Sequence, residues 1–76
     1  MTLTELRYII AVAQEKHFGR AAEACFVSQP TLSVSIKKLE DELSTRIFER
    51  KSNQIALTAV GERLVKQAQL IVEESN

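Results

Sequence analysis

Apolar residues recur at intervals of three and four through most of this chain, and the pattern predicts four helices interrupted by one short hairpin. The first helix opens at Thr2-Leu3-Thr4-Glu5, where a threonine three residues ahead of a glutamate makes a capping box. Leu6, Ile9, Ile10 and Ala13 give it an apolar face as far as Lys16, with Leu3 closing its N-terminal end and Glu5, Arg7, Gln14 and Glu15 turned to solvent. His17-Phe18-Gly19 breaks the pattern. Gly19 is expected to cap a short second helix over residues 20–25, and Phe18 to anchor the turn against the core. The small side chains of Ala21, Ala22 and Ala24 would let two helix backbones approach closely.

Phe26-Val27 then carry the chain, within a few residues, to the best-signalled element of the sequence, a helix over residues 28–43. Ser28 is its N-cap, because the hydroxyl can accept from free N–H groups of the first turn, and Pro30 is tolerated where no helical partner is lost. Leu32, Ile36, Leu39 and Leu43 line one face; Pro30, Ser33, Val34 and Lys37 fall on the other. After Ser44-Thr45, two β-prone pieces, Ile47-Phe48 and Ile55-Ala56-Leu57, flank the polar residues 49–54 and predict a hairpin with a basic tip. Thr58 caps a last helix whose stripe of Val60, Leu64, Ala68 and Ile71, led in by Leu57 and widened by Val65 and Val72, exceeds what so small a core needs.

A short helix, a tight turn and a capped third helix together have helix-turn-helix spacing, so the outward face of that third helix is expected to be a DNA-reading surface. It offers an amide at Gln29, hydroxyls at Thr31 and Ser33 and apolar groups at Pro30 and Val34, which suit base edges. Lys37 and Lys38 follow, and Arg50 and Lys51 sit on the hairpin. With the hydroxyls of Ser28 and Ser52, these cations are assigned to the DNA backbone. The last helix is assigned to pairing two copies through Leu57, Val60, Leu64, Val65, Ala68 and Ile71, since reading two half-sites requires a dimer. The domains are accordingly 1–57, a winged helix-turn-helix, and 58–76, a linker and dimerisation helix.

Composition limits the alternatives. Seventy-six residues, 45% of them hydrophobic, make one mostly helical globular domain. Ten basic residues balance ten acidic ones, so attraction to a polyanion must come from local charge placement. One cysteine, Cys25, and one histidine exclude an internal disulfide and any zinc site built from Cys and His alone, and no cofactor is expected. No apolar run is long enough for a membrane span or a signal peptide, which places the chain in the cytoplasm. It stops in mid-pattern with no C-cap glycine or proline, and is therefore expected to be part of a longer protein. An enzyme would need a nucleophile, a base and an orienting acid in a cleft; Ser28, Ser33 and Ser35 have no evident partners, so none is expected. The alternative to DNA reading is a helical protein-interaction or dimerisation module.

Phe18-Gly19-Arg20-Ala21-Ala22, Val27-Ser28-Gln29-Pro30-Thr31-Leu32-Ser33, Ile36-Lys37-Lys38-Leu39-Glu40 and Phe48-Glu49-Arg50 resemble the N-terminal winged helix-turn-helix of LysR-type transcriptional regulators, and the resemblance covers the whole chain. The opening residues 1–9 and His17-Phe18-Gly19-Arg20 further resemble the hydrogen-peroxide-responsive branch of that family. The resemblance implies a mainly α fold with a three-helix core, a two-stranded wing and a long linker helix. It also implies an effector-sensing domain beyond this chain, binding to an interrupted palindrome in double-stranded DNA as a homodimer, and a higher oligomer in the full-length protein. It implies base contacts from Gln29, Pro30 and Ser33. Where many members carry a basic residue this chain has Val34, a departure the peroxide-responsive branch shares. Ser44 stands where a glycine is usual after the third helix, and Ala59 where a proline is common. A left-handed Ser44 would cost of order 1 kcal/mol. Cys25, beside Phe26 at the end of the small-residue helix, is read as a packing residue rather than a redox sensor, and His17 as a turn residue.

Overall fold

Thr2 and Glu5 close the capping box that their spacing predicts: the Thr2 hydroxyl accepts from the Glu5 N–H at 3.1 Å, and the Glu5 carboxylate accepts from the Thr2 N–H at 2.7 Å. The computed structural model describes residues 1–75. Helix α1 spans Leu3–Glu15, α2 Phe18–Ala24, α3 Gln29–Leu43 and α4 Ala59–Ser75, with strands β1 (Phe48–Lys51) and β2 (Gln54–Leu57) between the last two helices. The architecture is mainly helical with a two-stranded antiparallel wing, as the sequence predicts.

The core lies among α1, α2, α3 and the inner side of α4, and Ile9, Val12, Leu32, Leu39 and Ile47 are its largest fully buried side chains. On α1 the buried positions are Leu6, Ile9, Ala11 and Val12, so the packed face is rotated from the expected one; Ile10 and Ala13 sit on its shoulder and Leu3 is exposed. Helix α1 packs against α2, α3 and α4 at once, and Val12 is fully buried among them. Ala21 and Ala22 are buried at the close crossings of α2.

Four other expectations shift. The α2 cap is His17, whose Nδ1 accepts from the Arg20 N–H at 3.0 Å, so the helix starts at Phe18 and Gly19 lies inside its first turn. A Cβ on Gly19 would come within 2.8 Å of the His17 ring, so the glycine makes room for the cap. The wing has a two-residue turn, not a six-residue tip. Lys51 pairs with Gln54, and Ser52 and Asn53 both take positive φ (50° and 64°), as a mirror-image hairpin turn demands. Ile47 is not in the strand; it precedes β1 and is fully buried. Ser44 does adopt the left-handed conformation (φ 52°) and ends α3, with the Thr45 N–H donating to the Glu40 carbonyl at 3.1 Å. Leu43, assigned to the packed face, is exposed at the last turn of α3.

Ile47 joins the wing to both neighbouring helices. Its N–H donates to Glu40 Oε2 at 2.7 Å, and the Phe48 N–H reaches the same oxygen at 3.3 Å. Its carbonyl accepts from the Thr58 N–H at 3.0 Å. The Thr58 hydroxyl donates to the Arg46 carbonyl at 2.6 Å and accepts from the Gly61 N–H at 3.0 Å, so one side chain ties the wing root to the α4 N-terminus. Phe18 meets Phe48 edge to face, with ring centroids 6.4 Å apart and planes at 74°, and so seats the wing against α2.

Gly61 passes so near this joint that a Cβ would stand 2.2 Å from the Ile47 carbonyl oxygen, a backbone atom. In an ordinary helix, replacing glycine with alanine gains about 1 kcal/mol. Overpacking costs about 1–3 kcal/mol and here has no side chain to push aside. Gly61→Ala is therefore expected to lower the melting temperature, by roughly 4–8 °C per kcal/mol lost. A thermal melt with an unchanged or raised midpoint would show that the joint yields freely.

Candidate nucleic-acid interface

The site is built on the first turns of α3. Ser28 in an extended conformation (φ −73°, ψ 155°) caps the helix, its Oγ accepting from the Thr31 N–H at 3.2 Å and donating to the Thr31 Oγ1 at 2.8 Å. Pro30 occupies the first turn, where its missing N–H costs nothing. Leu32, Ile36 and Leu39 fix the inner face in the core, which leaves Gln29, Pro30, Thr31, Val34, Lys37 and Lys38 exposed. Val34, 67% exposed, is central to this face, with Pro30 one turn before it and Lys38 one turn after. Ser33 differs from its expected position. It is half-buried on the shoulder between the exposed and packed faces. The Gln29 amide oxygen lies back towards α2, 3.5 Å from the point where a Gly19 Cβ would be.

The expected cations are not equivalent. Lys37 Nζ pairs with Asp41 at 3.5 Å and Lys51 Nζ with Glu49 at 3.3 Å, both at exposed positions. Among the described residues, Lys38 and Arg50 carry no ion pair. Exposed pairs of this kind are worth about 0–1 kcal/mol, so Lys37 and Lys51 are readily released to a stronger anion. The wing register puts Arg50 opposite Ile55 and Lys51 opposite Gln54, so the two cations project from opposite faces of the hairpin, with Ser52 at its turn. Arg46, unassigned by the sequence, stays beside Glu40 at 3.8 Å, whose carboxylate it shares with the Ile47 and Phe48 N–H groups.

Sequence reasoning also missed Thr2 and Glu5, which form the far wall of an open groove running along Pro30, Val34 and Lys38. The capping-box signal found both residues, but nothing in the sequence says that the start of α1 lies beside α3. Phe26, 94% exposed at φ 60° in the turn between α2 and α3, is a second surprise. That turn needs a left-handed residue, since the Val27 N–H returns to the Ala22 carbonyl at 3.0 Å.

The residues assigned to pairing divide into two sets. Val65 and Ala68 lie in the domain's own core, and Leu57 and Leu64 pack against it, as does Val72 of the wider stripe. Val60 and Ile71 remain exposed, together with Leu70, which the sequence reading did not single out. Among the described residues, no cluster of His, Cys, Asp or Glu is arranged to hold a metal, and no helix is long and apolar enough to cross a membrane.

The family model for bacterial regulatory helix-turn-helix proteins of the lysR family matches residues 3–62. The hydrogen peroxide-inducible genes activator of Pectobacterium carotovorum subsp. carotovorum is 47% identical over 74 residues, which is 97% of this chain and 24% of that protein. Among solved structures, a full-length OxyR variant from Pseudomonas aeruginosa superposes with a TM-score of 0.93 at 65% identity, over 99% of this chain and 25% of the other. The BenM_DBD/benA site 1 DNA complex matches with a TM-score of 0.93 at 35% identity, over 99% and 84%. The chain thus spans about a quarter of the length of the peroxide-inducible relatives it matches.

Cys25 is half-buried beside α1, and burial pushes its thiol pKa up. The native state therefore favours the protonated thiol; the stability this lends is complete below the unfolded thiol's pKa and fades as pH rises through the native value. Little nucleophilic thiolate forms near neutrality. At pH 8, a thiol-specific reagent should label Cys25 more slowly than free cysteine, with denaturant removing the difference. Labelling as fast as free cysteine in the native chain would show an activated thiol.

Proposed function

The chain belongs to the lysR family of bacterial regulatory helix-turn-helix proteins, and from that premise we propose that it is the DNA-binding part of a peroxide-responsive transcriptional regulator. In this reading it works in the cytoplasm, on an interrupted palindrome in double-stranded DNA, with no chemistry of its own. The observation that carries the reading is the exposed start of α3, where an amide, a hydroxyl and an apolar strip stand together beside the unpaired Lys38. A helix presented this way fits the major groove, with its N-terminal residues against base edges. The likeness to a DNA complex at 35% identity supports the same orientation. Gln29, Pro30, Thr31 and Val34 then read bases, with Ser33 contributing from the shoulder. Ser28, Lys37, Lys38, Arg50, Lys51 and Ser52 hold the phosphates. The peroxide response belongs to the part of the protein outside this chain and rests on likeness to the peroxide-inducible relatives.

The pairing surface is narrower than the stripe along α4. Val65 and Ala68 are spent on the core, so the second copy is assigned to Val60, Ile71 and the outer side of Leu64, with Leu70 flanking. A helix that fills its own core with one part of its apolar arc and meets a partner with the next holds each reading head at a fixed distance from the other. The full-length protein is assigned a higher oligomer built on such pairs.

Gln29→Ala should weaken binding to a selected operator by about 1–3 kcal/mol and leave random DNA nearly unaffected. Arg50→Ala should weaken both, and reduce the slope of log K against log salt by about one unit. Anisotropy titrations across a salt series separate the two, and equal losses on both DNAs for Gln29→Ala would contradict base reading. Ile71→Glu places a charge on the pairing surface without entering the core, so sedimentation equilibrium should show a monomer with an unshifted melting temperature. A variant that still dimerises would place the seam elsewhere.

A further inference from the structure

Val34 is the side chain on the exposed face of α3 least suited to solvent. It is 67% exposed, one turn after the exposed Pro30, and the two form an apolar strip in the groove that Lys38 closes at its far end. An isopropyl group can neither donate nor accept a hydrogen bond, which restricts what can lie against it in the major groove. Guanine presents two acceptors there, adenine an acceptor and a donor, and cytosine a donor; thymine alone presents a methyl group. Pressing Val34 onto the first three would strip water from polar atoms and return nothing. Against thymine it buries apolar surface on both sides. A phosphate gains nothing from the strip itself: Lys38 would draw it to the end of the groove, away from the Glu5 carboxylate, which leaves the apolar middle to a base. A protein partner is disfavoured by the surroundings, since the strip lies between the Gln29 amide and the cations Lys37 and Lys38.

We propose that Val34 is a specificity-determining residue that reads the C5-methyl group of a pyrimidine, so that the base facing it is thymine and 5-methylcytosine substitutes for thymine there. The proposal rests on the DNA-reading function above and names the chemical group that part of the site recognises. Because the discriminating group is a methyl, the contact is blind to which Watson–Crick edge the pyrimidine carries. Cytosine methylation at that position creates a contact where unmodified cytosine has none.

The test begins with duplexes selected from a random library by the chain itself. In the strongest, each thymine of a half-site is replaced singly by deoxyuridine, which removes the methyl and leaves the pairing intact. One thymine should show a loss of about four-fold in affinity per methyl removed. Replacing that thymine by 5-methylcytosine, paired with guanine, should bind about four-fold more tightly than unmodified cytosine in the same place. Val34→Ser, at an exposed position where circular dichroism should report an unchanged fold, should abolish both differences and leave the Gln29→Ala effect intact. A selected site with no deoxyuridine-sensitive thymine would overturn the methyl contact alone, as would a sensitivity that persists in Val34→Ser. Selection that enriches no sequence would overturn the DNA-reading function and the methyl contact with it.

Discussion

Ile47 is the point at which α3, the wing and the last helix are locked together. Its N–H is held by the Glu40 carboxylate of α3, its carbonyl by the Thr58 N–H that opens α4, and its side chain is fully buried. The side chain of Glu40 is only 12% exposed, so the oxygen that receives the Ile47 and Phe48 N–H groups is largely screened from competing water. A charge-assisted hydrogen bond in such a setting is about twice as strong as a neutral one. Losing it would leave a buried donor without a partner, at a cost of about 1–3 kcal/mol. The close pass of Gly61 beside the Ile47 carbonyl completes the joint from the other side. Without it the wing would be a four-residue strand pair, and an isolated two-stranded hairpin is at best marginally stable in water.

The chain has zero formal net charge, so its charge pattern is a matter of placement. Acidic groups are spent on structure: Glu5 caps α1, Glu15 holds Arg20 and Glu40 anchors the wing. The cations of the α3 outer face and the wing are either unpaired or bound to a single exposed carboxylate. Each engaged carboxylate keeps its charge, so the local surplus on the α3 outer face and the wing comes from where Lys37, Lys38, Arg50 and Lys51 are placed. Arg50 and Lys51 project from opposite faces of a strand anchored at Phe48, so the wing offers cations to two directions.

The last helix carries an apolar arc that the core only partly covers. Its inner arc, Gly61, Val65 and Ala68, closes the core over α1, and the adjacent arc of Val60 and Ile71 stays bare. A stripe wider than the core requires is the same signal in either role, and only packing against α1 divides it.

Local chemistry was legible from the residues alone wherever both partners of an interaction lie within one turn. The capping box at Thr2 and Glu5, the Ser28 cap, the left-handed Ser44 and the Thr58 cap each need only a short polar side chain and the free N–H groups beside it, or a helix that has to stop. The apolar period likewise determined that α3 has an inner face of Leu32, Ile36 and Leu39 and an outer face that begins with Gln29 and Pro30. What the sequence left undecided depends on distant neighbours. The α2 cap is the exception: His17 and Arg20 lie within one turn, but an imidazole is not among the usual capping side chains, and its ring nitrogen reaches the Arg20 N–H across a space that Gly19 leaves open. Ser33 is drawn half under the surface, and Val65 and Ala68 are taken by the core, because α2 and α1 pack where they do. A periodic pattern fixes which side of a helix is apolar, but the width of that side given to the core is set by the elements that come to rest against it, and those are chosen by the tertiary fold.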